Sequence, residues 1–290
     1  MEISALLTAS PGWFALVAGL LGLIVGSFLN VLIYRLPIML EREWRSQCAE
    51  LLSQTLPPEP AFNLWWPRSR CPHCQHPIGA AENIPVLSYL WQRGRCRHCR
   101  APISLQYPLV EILSGVLAVL TAWHFGYGWQ ALAALVLTWG LLALSVIDLQ
   151  RQLLPDSLTL PLLWLGIGLA LFGLFTDLRS SVLGAMAGYL SLWSVYWIFR
   201  LLTGKEGMGQ GDFKLLALLG AWQGWQSLPA IIIGSAGVGA LLGIALIVGR
   251  GWSRDVPLPY GPFLAAAGWL TLLWGASFNE AYLRWLGGRG

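Results

Sequence analysis

The chain has 290 residues, of which 56% are hydrophobic and only 11% charged, with a mean hydropathy of +0.60, so its apolar surface exceeds what one soluble core hides. Lipid is the natural solvent for such a composition, and the 17 tryptophans suit membrane–water interfaces or the inside of a helix bundle. A net charge of +4, without a basic module interleaved with stacking aromatics, argues against a nucleic-acid binder.

The first apolar run, Pro11 to Tyr34, is long enough to cross hydrocarbon and is not followed by a small-residue cleavage site, so it is read as a permanent anchor. Residues 35–107 break the apolar pattern with proline-rich, charged and cysteine-bearing sequence and are expected to form an extramembrane domain. They carry nine arginines and five acids, which places them in the cytoplasm by the positive-inside rule and the N-terminus outside. Glu41, Glu43 and Glu50 alternate with Arg42 and Arg45 and read as a solvated helix face.

Within this insertion, Cys71-Pro-His-Cys74 and Cys96-Arg-His-Cys99 are two C-x-x-C knuckles separated by 21 residues. Each knuckle sets two thiolates on one tight turn, and four sulfurs complete a closed, structural tetrahedral zinc site with no open position for a substrate. A disulfide or redox pair is the competing reading, and a reducing cytoplasm favours metal. His73 and His98, inside the knuckles, are expected beside the ligands rather than among them; Cys48 has no partner knuckle.

Further apolar stretches recur near residues 109–124, 129–147, 158–175, 181–201, 213–226, 229–249 and 260–277. The expected fold is therefore an all-α polytopic membrane protein of about eight transmembrane helices, with a zinc-ribbon-like cytosolic insertion between helices 1 and 2. The domains read as 1–34, a first span; 35–107, the zinc-binding domain; and 108–290, a transmembrane core. The run at 213–226 is the weakest, being short and holding Gln223 and Gln226, and is expected to be tilted or only partly inserted. Alternation puts Arg151, Arg200, Lys205, Lys214, Arg250 and Arg254 inside and leaves Arg179, Arg284 and Arg289 outside.

Two of the sparse acids fall on the cytoplasmic boundary: Asp148, ending the third span, and Asp212, opening the sixth in Gly207-Met-Gly-Gln-Gly-Asp212. Two carboxylates brought together share one proton, so that one activates a water while the other polarises a scissile carbonyl. The glycines at 207, 209 and 211 allow a bound extended peptide to approach the backbone. The segment lacks the lysine and hydroxyl of a phosphate loop. Taken singly, Asp212 also reads as a helix cap and Asp148 as a solvated helix end. Helix polarity assigns the shared proton to Asp148, near a C-terminus, rather than to Asp212, near an N-terminus. Asp156 reads as the cap of the fourth span. Glu111, a few residues into the second span, requires a polar partner or a wet groove, and its role is unassigned.

These segments resemble the bacterial prepilin peptidase family, the bifunctional leader peptidases and N-methyltransferases of type IV pili and type II secretion. The resemblance runs through GSFLNVLIYRLP, SRCPHC, ENIPVLSYL, RGRCRHC, YPLVE, IDLQRQLLPDSLTLPLLW, GMGQGDFKLLALLGAW and YGPFLAAAGW. It implies Asp148 and Asp212 as the catalytic pair of a G-x-G-D aspartyl protease, and Cys71, Cys74, Cys96 and Cys99 as zinc ligands. It further implies cleavage after a glycine in a basic leader of prepilin or pseudopilin substrates at the inner membrane. Methylation of the new N-terminal residue, commonly phenylalanine, by S-adenosylmethionine is implied as well. No G-x-G-x-x-G on a strand is present, so a methyl-donor site is expected to be non-Rossmann. Two other classes compete: an ion-coupled transporter, which predicts midplane charges and inverted repeats that the sequence lacks, and a zinc-stabilised scaffold of a secretion machine, whose aspartates only cap helices.

Overall fold

The computed structural model describes residues 10–55, 57, 59–205, 207–250 and 258–287; side chains at 246, 247, 250 and beyond 275 are not described. Arg254 and Arg289, used above to assign sidedness, lie outside the described residues, as do the side chains of Arg250 and Arg284. Among the described residues there is no β-strand, and eight helices of 14 residues or more carry the fold. These are α1 (Pro11–Leu51), α2 (Gln106–Phe125), α3 (Trp129–Arg151), α4 (Asp156–Ala170), α5 (Leu178–Thr203), α6 (Gln210–Gln223), α7 (Leu228–Arg250) and α8 (Gly261–Gly287). They coincide with the eight apolar stretches. Five segments (in α1, α2, α3, α5 and Trp225–Ala245) are long and apolar enough to span by length and composition; Asp156–Ala170 and Gly261–Gly275 are shorter apolar helices.

The chain forms two compact units, Met1–Trp139 and Gly140–Gly290. In the first, α1 starts on Pro11, whose fixed φ suits a first helical turn, and runs 41 residues without a break. At 1.5 Å per residue that is about 60 Å, roughly twice the hydrocarbon thickness. The helix thus continues past Tyr34 and through Pro37 to Leu51, because the segment after the proline is rich in Leu, Met, Glu, Arg and Ala, all good helix formers. Glu41, Glu43 and Glu50 lie exposed on that extension, as a solvated face should. α1 and α2 pack through small residues. A Cβ added at Gly22 would meet Ala118 and the Ser114 carbonyl, each at 2.8 Å, and the Ser114 hydroxyl donates to the Gly22 carbonyl at 2.6 Å. Arg35, although buried, is fully engaged: its guanidinium donates to the Asn63 and Pro67 carbonyls at 2.8 and 2.6 Å and draws the 62–67 loop onto α1.

In the second unit α6 is the hub. Asp212, Phe213 and every residue from Leu215 to Trp222 are buried. The run expected to be tilted or only partly inserted is thus enclosed by protein, and its polar groups face neighbouring helices. The Trp222 indole N–H donates to the Leu162 carbonyl at 2.8 Å, and the Gln223 amide donates to the Gly268 carbonyl at 2.9 Å. The α5–α6 contact is backbone against backbone, since a Cβ at Gly184 would strike the Gly220 carbonyl oxygen and one at Gly220 the Gly184 oxygen. Gly184→Leu or Gly220→Leu is therefore expected to destabilise this unit by more than the ~1–3 kcal/mol typical of overpacking, because backbone cannot yield as a side chain does. Thermal inactivation in detergent, with Gly168→Leu as a control facing open space, reads the difference.

Candidate functional site

Each unit assembles one group of chemistry-bearing residues. In the first, the two cysteine knuckles are near copies of one another. The Cys71 N–H donates to the His76 carbonyl at 2.9 Å and the Cys96 N–H to the Ala101 carbonyl at 2.8 Å, while Gln75 and Arg100 return N–H bonds of 2.9 Å to the carbonyls of Cys71 and Cys96. Both Gln75 and Arg100 adopt a left-handed φ of 58°, and each knuckle is closed by an isolated bridge, Arg70 to Pro77 and Arg95 to Pro102. This shared turn aims both sulfurs of a knuckle the same way. The four Sγ atoms of Cys71, Cys74, Cys96 and Cys99 consequently lie within 4.8 Å of one another, a set able to bind a metal ion.

The knuckle backbone favours sulfur charge unequally. N–H groups of Cys74 and His73 directed at Cys71 hold its thiol down at about 6. For Cys74 the His76 N–H favours the thiolate, yet desolvation and hydrogen bonding with the other three cysteines push the thiol up to about 12. Four bare sulfurs cannot all ionise at this spacing, whereas a divalent cation removes the conflict. Neither His73 nor His98 joins the sulfur set; His98 instead stacks on His76 with ring centroids 4.7 Å apart. Cys48 is exposed and stands apart from the cluster.

In the second unit Asp148, near the end of α3, and Asp212, in the first turn of α6, are both only 6% exposed, so neither is a solvated helix end. The Gly261 N–H, opening α8, donates to Asp148 Oδ2 at 3.0 Å. Asp212 accepts from the Gly209 N–H and lies within reach of the Asp148 charge. Each carboxylate therefore sits at a helix N-terminus, Asp212 at that of its own helix and Asp148 at that of α8. The polarity argument, which considered Asp148 only on α3, does not separate the two.

Close packing fixes this geometry. A Cβ at Gly261 would lie 2.6 Å from Asp148 Oδ2 and 3.3 Å from Leu154, and one at Gly211 would lie 2.8 Å from the same leucine. Leu154 is thus the spacer between the α6 and α8 starts, beside both aspartates. Tyr260 completes the surroundings: its hydroxyl is 2.7 Å from that of Ser235, and it feels the Asp212 charge. Asp156 is not a cap. Pro155 occupies the N-cap of α4, and the Asp156 carboxylate pairs through both oxygens with the Lys214 ammonium at 2.7 Å, two residues beyond Asp212. Being partly exposed, the pair contributes at most about 1 kcal/mol, but it ties the start of α4 to the start of α6.

Sequence comparison bears on what this arrangement does. Residues 20–125 match the bacterial peptidase A24 N-terminal domain, and residues 135–244 match the type IV leader peptidase family. The chain belongs to the type IV leader peptidase family. It is 57% identical over 281 residues to the prepilin leader peptidase/N-methyltransferase of Stutzerimonas stutzeri, covering 96% of each chain. It is 53% identical over 290 residues to that of Pseudomonas aeruginosa (strain PAO1), covering 99% of each. With the Aeromonas hydrophila protein of the same name it shares 59% over 276 residues, 93% of this chain and 94% of the relative. No solved structure matches.

Of the leader peptidase residues gathered around the two aspartates, sequence reasoning missed Gly261, Leu154 and Tyr260. All three lie in segments already recognised as resembling the family, Leu154 in IDLQRQLLPDSLTLPLLW and Tyr260-Gly261 at the start of YGPFLAAAGW. A glycine that donates a backbone N–H shows no side-chain chemistry, so only the fold reveals its role. Gly261→Ala tests it: the added methyl displaces the Asp148 carboxylate, and a shift of about 1 Å costs on the order of 10²-fold in rate. Leader cleavage is expected to fall by that order while the variant inserts into membranes as wild type does.

Proposed function

We propose that this protein removes the leader peptide from type IV prepilins or type II secretion pseudopilins and then methylates the exposed N-terminus, with Asp148 and Asp212 as the aspartyl dyad. One observation carries the assignment of the pair: two buried carboxylates, Asp148 held by the Gly261 N–H and Asp212 close enough to sense the Asp148 charge, in a chain of the leader peptidase family. One carboxylate takes a proton from water while the other, protonated, hydrogen-bonds the scissile carbonyl, so the attacking hydroxide and the polarised carbon form together. Of the glycines before Asp212, Gly209 has only Asp212 Oδ2 near its side-chain position, at 3.8 Å, and so leaves room for the peptide backbone.

We further assign Cys71, Cys74, Cys96 and Cys99 as the ligands of a structural zinc. A Zn–S bond of about 2.3 Å places tetrahedral sulfurs about 3.8 Å apart. The Cys71 and Cys99 sulfurs are 3.8 Å apart, which supports that ion. Four protein ligands leave no coordination position for substrate, so zinc stabilises residues 35–107 as a cytosolic domain and takes no part in hydrolysis. S-adenosylmethionine supplies the methyl group in the second reaction. The arginine bias of residues 35–107 supports an inner-membrane topology with this domain in the cytoplasm, the N-terminus in the periplasm and the peptidase core at 108–290. A basic leader preceding an apolar helix then presents its scissile bond at the cytoplasmic interface, where water reaches the aspartates without crossing hydrocarbon. Purified protein incubated with a prepilin and S-adenosylmethionine is expected to yield the mature, methylated chain by mass spectrometry. An uncut substrate would refute the assignment.

A further inference from the structure

The first unit holds a buried carboxylate that cleavage does not use. Glu111, in the second turn of α2, is 8% exposed, and among the described residues no lysine, arginine or histidine pairs with it. Its Oε2 accepts the Val86 N–H at 2.7 Å, and the Ser27 hydroxyl lies between this carboxylate and Asn83 Oδ1, the latter at 3.3 Å. Val86 is held at a left-handed φ of 60°, unusual for a β-branched residue, with its N–H directed at the carboxylate. One turn away, Asn30 is 4% exposed; its Nδ2 donates to the Tyr107 carbonyl at 3.0 Å, and its Oδ1 is a buried acceptor with no partner. A carboxylate without a cation and, one turn along α2 from it, an amide oxygen without a donor await a donor-only cation at this end of the α1–α2 pair.

An apolar groove leads away from this spot. It has a volume of about 480 Å³, walls formed by Leu20 and Leu23 of α1 and Ile112 and Val116 of α2, and a floor at Gly19 and Gly115. Val86, the residue whose N–H holds Glu111, closes one end, and Glu111 lies one helical turn beyond Gly115 on α2. Glycines in the floor let another helix approach closely. A lipid chain fits the walls but leaves Asn30 Oδ1 without a donor and Glu111 without a cation. An apolar helix that begins with a free α-ammonium satisfies both.

We infer that this groove seats the apolar N-terminal helix of the cleaved pilin, with its new α-ammonium bound by Glu111 and Asn30, and that Glu111 is the base for its methylation. The inference rests on the methyltransferase activity proposed above. The ammonium, being a donor only, hydrogen-bonds the Asn30 and Glu111 oxygens and transfers one proton to the Glu111 carboxylate. The freed nitrogen lone pair then forms a bond to the methyl carbon of the sulfonium donor as the carbon–sulfur bond breaks, its electron pair remaining on sulfur. The product is a methylated secondary ammonium.

The test uses the full-length protein in nanodiscs and two synthetic peptides carrying an apolar helical segment that starts with phenylalanine, one with a free α-amine and one N-acetylated; binding is measured without methyl donor, and methylation after S-adenosylmethionine is added. Wild type is expected to bind the free amine about tenfold more tightly or better, as a hydrogen-bonded charge warrants. Glu111→Gln, which retains volume and an acceptor for the Val86 N–H, is expected to lose that preference and to methylate the already mature peptide at least tenfold more slowly. Val116→Trp, at a half-exposed position in the groove wall, should weaken both peptides equally. An undiminished preference for the free amine in Glu111→Gln overturns the assignment of Glu111. Unchanged affinity in Val116→Trp overturns the groove and leaves it to lipid. Because the peptides are already mature, failure of wild type to cut prepilin refutes the peptidase reading without affecting this outcome.

Discussion

Replacing either Asp148 or Asp212 with asparagine is expected to abolish leader removal, with a loss of about 10³-fold or more, while expression and metal content stay near wild type. General acid–base assistance from one group contributes about 10²–10⁴-fold, and here each carboxylate depends on the other. Asparagine preserves shape and the acceptor for the neighbouring N–H, from Gly261 to Asp148 and from Gly209 to Asp212. Packing is therefore retained while the proton exchange is removed. Since the pair acts as a unit, the double variant should be scarcely slower than either single one. The assay is leader removal from a co-expressed prepilin followed by mass shift. Full processing by both single variants would return the aspartates to a capping role and favour the scaffold reading.

Cys71→Ser, or treatment with a strong chelator, is expected to release the metal and unfold the segment between Ser69 and Ser104 while leaving the membrane helices intact. The segment has little else to hold it. Its only strand-like pairings are two isolated bridges, and most of its side chains are exposed. Structural zinc sites in small domains contribute about 10–16 kcal/mol of apparent binding energy at neutral pH, much of it folding energy. Trypsin is a direct probe, because Arg93, Arg95, Arg97 and Arg100 lie in the segment and become cleavable when the knuckles open. Acid should have the same effect, since protons compete with the metal for thiolates. Stoichiometric zinc in a variant lacking all four cysteines would refute the metal site. Peptide hydrolysis should fall less after metal loss than after Asp148→Asn, because the proposed cleavage routes no step through the metal.

Much of this molecule is legible in its sequence, for reasons that belong to its solvent. In lipid every backbone group must be satisfied within its own segment, so apolar runs become helices, and eight runs correspond to eight long helices. The cysteine set is legible because a C-x-x-C turn is a local structure and two such turns specify four ligands. Glu111, Asp148 and Asp212 stand out because an acid in or beside a span is costly. The extent of α1 was less apparent: hydropathy shows where lipid ends, whereas the helix continues to Leu51 on good helix formers and on contacts such as that of Arg42 with Glu59 and Phe62.

The sequence by itself determined the class of fold, the cysteine set able to hold a metal and the acids worth testing, because each follows from local chemistry and from the cost of polarity in hydrocarbon. Tertiary structure alone decided how those acids are held. It made α6, the least hydropathic run, the centre of its unit, because Trp222 and Gln223 find carbonyls on neighbouring helices. It turned Asp156 from a cap into the partner of Lys214, and it brought the Gly261 N–H onto Asp148 from 113 residues away. It also set a carboxylate with no cation at the head of an apolar groove. Contacts of this kind depend on which helix faces which, and helix periodicity does not encode that choice.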